Sequence, residues 1–235
     1  MTSKPESHDR AMRHWHRIAL LWRSTVGQKA LMALSALVLV GYMVIHVVGN
    51  LLIYLGPRWI NGWGALLHAT GPLLWAVRAI LFAAFVLHIV LARRLARRAH
   101  SARPDGYTRY EPQVATPAAR TMRWGGVALL LFVLYHVPQF TAGWWHPAFV
   151  DGDDYSNVVV LFRRWWAYPV YAAALAAIGL HLYHGTWSML RTLGLAEPSP
   201  EPQRRPLAVG MTVLVAGGFL TIMIAVAVGL LRPLR

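Results

Sequence analysis

GLHLYHGTWSMLRTLG, residues Gly179 to Gly194, places two histidines, His181 and His184, in a segment otherwise apolar enough to cross a bilayer. An ionisable ring in hydrocarbon is costly unless it is paired, lines a cavity or binds something. Three other apolar segments carry a histidine in a comparable place: His46 in VIHVVGN, His88 in FVLHIVLA and His136 in VLYHVPQ. Rings recurring in four separate apolar segments call for one common explanation.

The chain has 235 residues, of which 57% are hydrophobic, and its mean hydropathy is positive. That composition points to lipid as the solvent. A spanning helix takes about 20 mostly apolar residues to cross roughly 30 Å of hydrocarbon. Five such runs are present, near 30 to 55, 71 to 97, 121 to 142, 164 to 191 and 206 to 231, here helices I to V. The predicted fold is therefore all-α, an integral membrane bundle of five transmembrane helices. Residues 1–29 form an N-terminal arm with a surface helix, 30–231 the membrane domain, and 232–235 a C-terminal tail. The connections are too short for a separate soluble domain, which makes the chain an anchor for chemistry performed by partner subunits.

A formal charge of +14 raises the question of nucleic acid. The basic residues are sorted by connection instead, as the positive-inside rule expects of a membrane protein. Lys4, Arg10, Arg13, Arg17, Arg23 and Lys29 lie in the arm, and Arg93, Arg94, Arg97, Arg98, Arg103, Arg109, Arg120 and Arg123 surround the second connection. Arg191, Arg204 and Arg205 follow at the fourth, while the third carries Asp151, Asp153 and Asp154. The expected placement is a bacterial cytoplasmic (inner) membrane, multi-pass, with the N-terminus cytoplasmic and the C-terminus external. Trp59, Trp63, Trp144, Trp145, Trp165 and Trp166 then fall at the external interface as an aromatic belt. With no cysteine, the chain has no disulfide, thiolate-bound iron–sulfur cluster or cysteine-attached haem.

Residues 1–9 are polar and lack the apolar stretch of a secretory signal. Arg10 to Arg23, RAMRHWHRIALLWR, suits a helix on the membrane surface or a plain topogenic arm. Ser24 or Thr25 can cap helix I, and Pro72 suits the first turn of helix II. Helix V has no ionisable residue between Pro206 and Leu231, and Gly210, Gly217 and Gly218 permit close packing, so it supports the bundle without supplying a ligand.

Helices I and III run outward with their histidines late, and II and IV run inward with theirs late, so depth sorts the rings into two pairs. His46 faces His136 on the outer side, and His88 faces His181 on the inner side. About nine residues between the levels, at 1.5 Å rise, separate the pairs by roughly 14 Å. Two stacked bis-histidine haems, held between helices I to IV, suit this pattern. A zinc or copper site would gather its ligands at one depth. His184 competes with His181 for the inner position. Its place nearer the headgroups, where a polar role needs no iron, favours His181.

These residues carry a resemblance. The chain is similar to the cytochrome b membrane-anchor subunit of succinate:menaquinone oxidoreductases and fumarate reductases, of the single-chain, five-helix, two-haem type. The similar features are STVGQK at Ser24 to Lys29, H-x-x-x-N at His46 to Asn50, LHI at Leu87 to Ile89, the YHV of helix III, and H-x-x-x-G followed by W-S-x-x-x-T-x-G in helix IV. In that family the histidine four residues before the glycine is the ligand, which selects His181. The resemblance covers nearly all of the chain. It implies two haems b with His46, His136, His88 and His181 as iron ligands, a flavoprotein subunit that oxidises succinate, an iron–sulfur subunit that relays electrons, and menaquinone as the acceptor. No succinate-oxidising site is expected in this chain.

Other residues carry lesser roles. Asn50, one turn beyond His46, can orient a ligand or make an interhelical hydrogen bond. Gly41, Gly49, Gly179 and Gly185 allow a flat macrocycle to approach, or serve ordinary helix packing. Arg78 can meet a propionate of the outer haem, and Arg23, Ser24 and Lys29 one of the inner haem; snorkelling is the plainer role. Quinone reduction consumes protons, for which His68 on the outer side, and Tyr183, His184 and Arg191 on the inner side, are the candidates. The competing functions are a di-haem anchor of a hydrogenase or formate dehydrogenase, and a haem-free transporter with a histidine proton relay. The number of spans and the helix IV motif disfavour the first, and the absence of acidic residues from the spans disfavours the second.

Overall fold

The computed structural model describes residues 22–102, 116–196 and 205–233, so the arm up to Leu21, with most of its surface helix, lies outside the described residues. Every element among the described residues is helical. Helix α1, Thr25–Leu51, starts where Ser24 takes an extended conformation and its hydroxyl accepts from the Gly27 amide at 2.9 Å. A 3₁₀ turn, Leu52–Leu55, continues it to Gly56, whose φ of 99° suits glycine. Pro57 opens α2, Pro57–Ala69, and Pro72 opens α3, Pro72–Ser101, each at the position where a missing N–H costs nothing. The Thr116 hydroxyl caps α4, Pro117–Thr141, and Asp153 caps the short α5, Asp154–Phe162. Helix α6 covers Ala167–Thr192. Helix α7 covers Pro206–Ala227, with one π turn at Val213–Gly217.

Spans I, II, III, IV and V of the sequence correspond to α1, α3, α4, α6 and α7. Four of them, α1 with its 3₁₀ extension, α3, α4 and α7, are long and apolar enough to cross a membrane. Helix α6, at 26 residues, has the length. Its Tyr, His and Gly residues leave it without the long apolar stretch of the other four, and it packs on α1, α4 and α7. Phe82, Leu131 and Val213, on three of the apolar helices, are 70%, 62% and 64% exposed, a surface that is stable when lipid is the solvent.

Two connections that read as plain links are helices. Helices α2 and α5 pack on each other at the tryptophan-rich end, where Ile60, Tyr155, Val159 and Phe162 join Ile53, Tyr171 and Ile222 in one buried cluster. Asn61 ties the two together, donating to Asp153 at 3.0 Å and accepting from the Tyr155 amide at 2.9 Å. Burial pushes the Asp153 carboxyl upward, yet hydrogen bonds from Ser156 and Asn61 hold it below the usual carboxylate range. Asp154, more enclosed, is raised by burial, which the nearby His68 partly offsets.

Glycines set the closest helix approaches. A Cβ on Gly218 would lie 2.7 Å from Val47 Cγ2, and one on Gly49 would run into the Trp63 indole nitrogen. Val47 is fully buried and has nowhere to move. Gly218→Val is therefore expected to cost about 1–3 kcal/mol by overpacking, read as a lower thermal midpoint in detergent. Gly210 faces open space, so its replacement by Ala should leave that midpoint unchanged.

Candidate functional site

Four helices bring the four histidines into two facing pairs. His46 of α1 and His136 of α4 have ring centres 6.2 Å apart with planes at 72°. His88 of α3 and His181 of α6 also stand 6.2 Å apart, with planes at 62°. The levels can be compared through contacts on shared helices. Ser35 touches His88 and lies eleven residues before His46 on α1; Tyr171 touches His136 and lies ten before His181 on α6. The two intervals give roughly 15–17 Å between levels at 1.5 Å per residue.

The spacing within each pair is too long for a ring–ring hydrogen bond and suits a shared ion. Two imidazole nitrogens on one metal, each bonded at about 2.0 Å, stand about 4 Å apart, which puts the ring centres roughly 6 Å apart. Among the described residues, no group of three or more metal-ligating side chains gathers at one point. Two protein ligands per ion suit a metal that brings its other ligands in a macrocycle. Gly41, Gly125 and Gly185 have nothing within 4 Å of where a Cβ would stand, and Gly126 would carry its Cβ 4.0 Å from His181 Cε1, so a glycine backbone passes close to that ring. Gly49 and Gly179 do ordinary packing instead, the first against Trp63 and the second against Ala216 and Thr212 of α7. His181 Nδ1 is buried with no hydrogen-bond partner. The residues present fit a bis-histidine haem at each level.

Hydrogen bonds around the rings decide which nitrogen faces the partner. Tyr171 donates its own proton to Gln139 Oε1 at 2.6 Å, so at 3.2 Å its oxygen accepts from His136 Nδ1–H. Ser35 donates to the Met32 carbonyl at 2.8 Å, so at 3.4 Å its oxygen accepts from His88 Nδ1–H. In both rings Nε2 keeps its lone pair and is the nitrogen available to iron. Asn50 donates to the His46 backbone carbonyl at 2.8 Å and lies 3.4 Å from His46 Nδ1. Tyr42 stacks on His46, and Phe132 on His136.

The remaining candidates fall into separate places. Arg78 is exposed, its guanidinium 4.9 Å from the Trp75 ring centre and within electrostatic reach of Tyr42 beside His46. Ser24 is the α1 cap, and Lys29 is exposed. Arg23 gives its backbone carbonyl to Arg98 at 2.9 Å, while Arg94 stacks over Trp22, so the basic end of α3 holds the start of α1. His68 is exposed near Asp154 at the tryptophan-rich end. Tyr183 and His184 lie toward the arginine-rich end of α6, and Arg191 is exposed in its last turn.

Two features are not evident from the sequence. Arg205 is only 4% exposed, its guanidinium 5.8 Å from the Tyr183 ring centre and 5.1 Å from that of Trp187, with its charge felt at His184. In the sequence it stands among loop arginines, with nothing to mark it as buried. Gln139 is fully buried and bridges Tyr171 to Tyr135, where its amide donates at 2.7 Å. A polar residue three positions after a membrane histidine is the one signal that points to it.

Among known proteins, residues 97–226 match the family model described as succinate dehydrogenase/fumarate reductase transmembrane subunit. No curated protein and no solved structure gives a significant match.

Proposed function

The chain belongs to the succinate dehydrogenase/fumarate reductase transmembrane-subunit family, and from that premise we propose that it is the di-haem cytochrome b anchor that passes electrons from an iron–sulfur partner to menaquinone. The family makes it a multi-pass membrane subunit of such an oxidoreductase complex. The observation that carries the di-haem reading is the pair of matched histidine spacings, 6.2 Å at each of two levels. His46 and His136 would hold one haem b, and His88 and His181 the other. A bound haem b supplies a one-electron iron couple in a field of two imidazoles.

The chain's own residues orient that chemistry. Ser35 and Tyr171 fix ring tautomers, and Gly126 brings a side-chain-free stretch of α4 close to His181. The arginine-rich end faces the cytoplasm by charge, where a flavoprotein and its iron–sulfur partner would dock, and α6 crosses the bilayer as the fifth span. At that end Tyr183, His184 and Arg191 are the groups that can hold a quinone oxygen or pass it a proton, and the Arg205 guanidinium lies near Tyr183 and His184. His68 offers the same chemistry at the opposite end.

Pyridine haemochrome analysis of the purified chain is expected to give two haems b, with a low-spin, six-coordinate spectrum that carbon monoxide hardly perturbs. Bis-imidazole ligation leaves no open position on the iron. A haem-to-protein ratio near one, or a five-coordinate spectrum, would overturn the assignment.

A further inference from the structure

Resting on the di-haem reading, we propose that Tyr171, locked by Gln139, is the positioning residue that sets the electronic character of the His136 ligand and lowers the reduction potential of that haem alone. The two levels of the bundle differ in how their rings are held. At the His88 level the acceptors are a serine hydroxyl at 3.4 Å and the Met32 backbone carbonyl, to which that hydroxyl itself donates. At the His136 level it is a phenol at 3.2 Å, part of a chain in which Tyr171 donates to Gln139 at 2.6 Å and Gln139 donates to Tyr135 at 2.7 Å. Tyr171 is 7% exposed and Gln139 is fully buried, so the chain is shielded from water along its central links.

The direction follows from the protons. A tyrosine hydroxyl is free to donate to an imidazole nitrogen or accept from it. Here Gln139 Oε1 takes the Tyr171 proton at the shortest distance in the network, which leaves the phenol oxygen only the accepting role toward His136. Gln139 in turn is held by donation to Tyr135, which stacks on Trp145 at 6.0 Å. An imidazole that donates Nδ1–H to a firm acceptor is a more basic ligand at Nε2. A more basic ligand favours ferric over ferrous iron. Phe132 and Phe162 pack edge-on to the Tyr171 ring at 5.1 and 4.9 Å, so the ring holds its place without the hydroxyl. Tyr171→Phe therefore removes the acceptor while keeping the packing.

The test is redox potentiometry on the purified haem-loaded chain, with haem counted by pyridine haemochrome for each variant. Tyr171→Phe should keep two haems and raise one midpoint by about tenfold in the reduction equilibrium, an upper value of about 59 mV for a one-electron couple. Gln139→Leu, which removes the group that takes the Tyr171 proton and so leaves the phenol oxygen a weaker acceptor, should move the same midpoint upward by a smaller amount. Ser35→Ala should move only the other midpoint. Two haems with both midpoints unmoved in Tyr171→Phe and Gln139→Leu would overturn the proposal while leaving the di-haem reading intact. A shift of the Ser35-sensitive midpoint in these variants would overturn it as well. If Tyr171→Phe loses haem, Gln139→Leu decides alone. A wild-type chain without haem would overturn the reading on which the proposal rests.

Discussion

His46→Ala and His136→Ala should each leave one haem of the two, with the same spectral component missing, whereas His88→Ala and His181→Ala should each remove the other component. The expectation comes from the facing rings, 6.2 Å apart at both levels, and from the roughly 15–17 Å between the levels, which makes the two sites separate binding events. Removing one imidazole takes away half of the protein's ligands to that iron and leaves the partner ring facing a gap. Haem content should fall from two per chain to about one, and the remaining band should differ between the two sets of variants. Loss of the same component from His46→Ala and His88→Ala would overturn the pairing. Tyr168→Phe, away from all four rings at the tryptophan-rich end, serves as a control for substitutions outside the site.

The second large effect separates two neighbouring rings on α6. His181→Ala should lose the haem shared with His88 and reduce succinate–quinone reductase activity of the assembled complex by 100-fold or more, beyond what loss of an orienting partner alone would cause. His184→Ala should keep both haems and lower only the rate of quinone reduction. A three-residue step turns a helix by about 300°, so both rings cannot face one iron equally. His181 is the ring that faces His88, and its Nδ1 is buried. His184 is half-buried in the neighbourhood of Arg205. Haem lost from the His184 variant alone would move the ligand by one helical step and overturn this choice.

Much of this molecule is written locally in its sequence. Runs of apolar residues fix the spans because each must satisfy its backbone polar groups within itself once in lipid. Ser24, Pro72 and the glycines at turns mark helix ends for equally local reasons. Even the facing of the rings was legible, since a histidine late in an outward helix and one late in the next outward helix reach the same depth by counting residues. The charge of each connection likewise indicated which end carries the arginines.

Tertiary structure decided what depends on residues distant in the chain. Helices α2 and α5 read as links because neither, at 13 and 9 residues, is long enough to cross a bilayer, and they pack on each other and on the ends of α1, α6 and α7. Arg205 reads as one loop cation among many until α6 supplies Tyr183 and Trp187 to cover it. Gly49 and Gly179 have the same local sequence character as Gly41 and Gly185, and only the position of Trp63 and of α7 separates packing glycines from open ones. The tautomers of His136 and His88 rest on Tyr171 and Ser35, which lie 35 and 53 residues away from them. Hydropathy and helical period are properties of one segment, whereas a hydrogen bond between helices exists only once two segments have met.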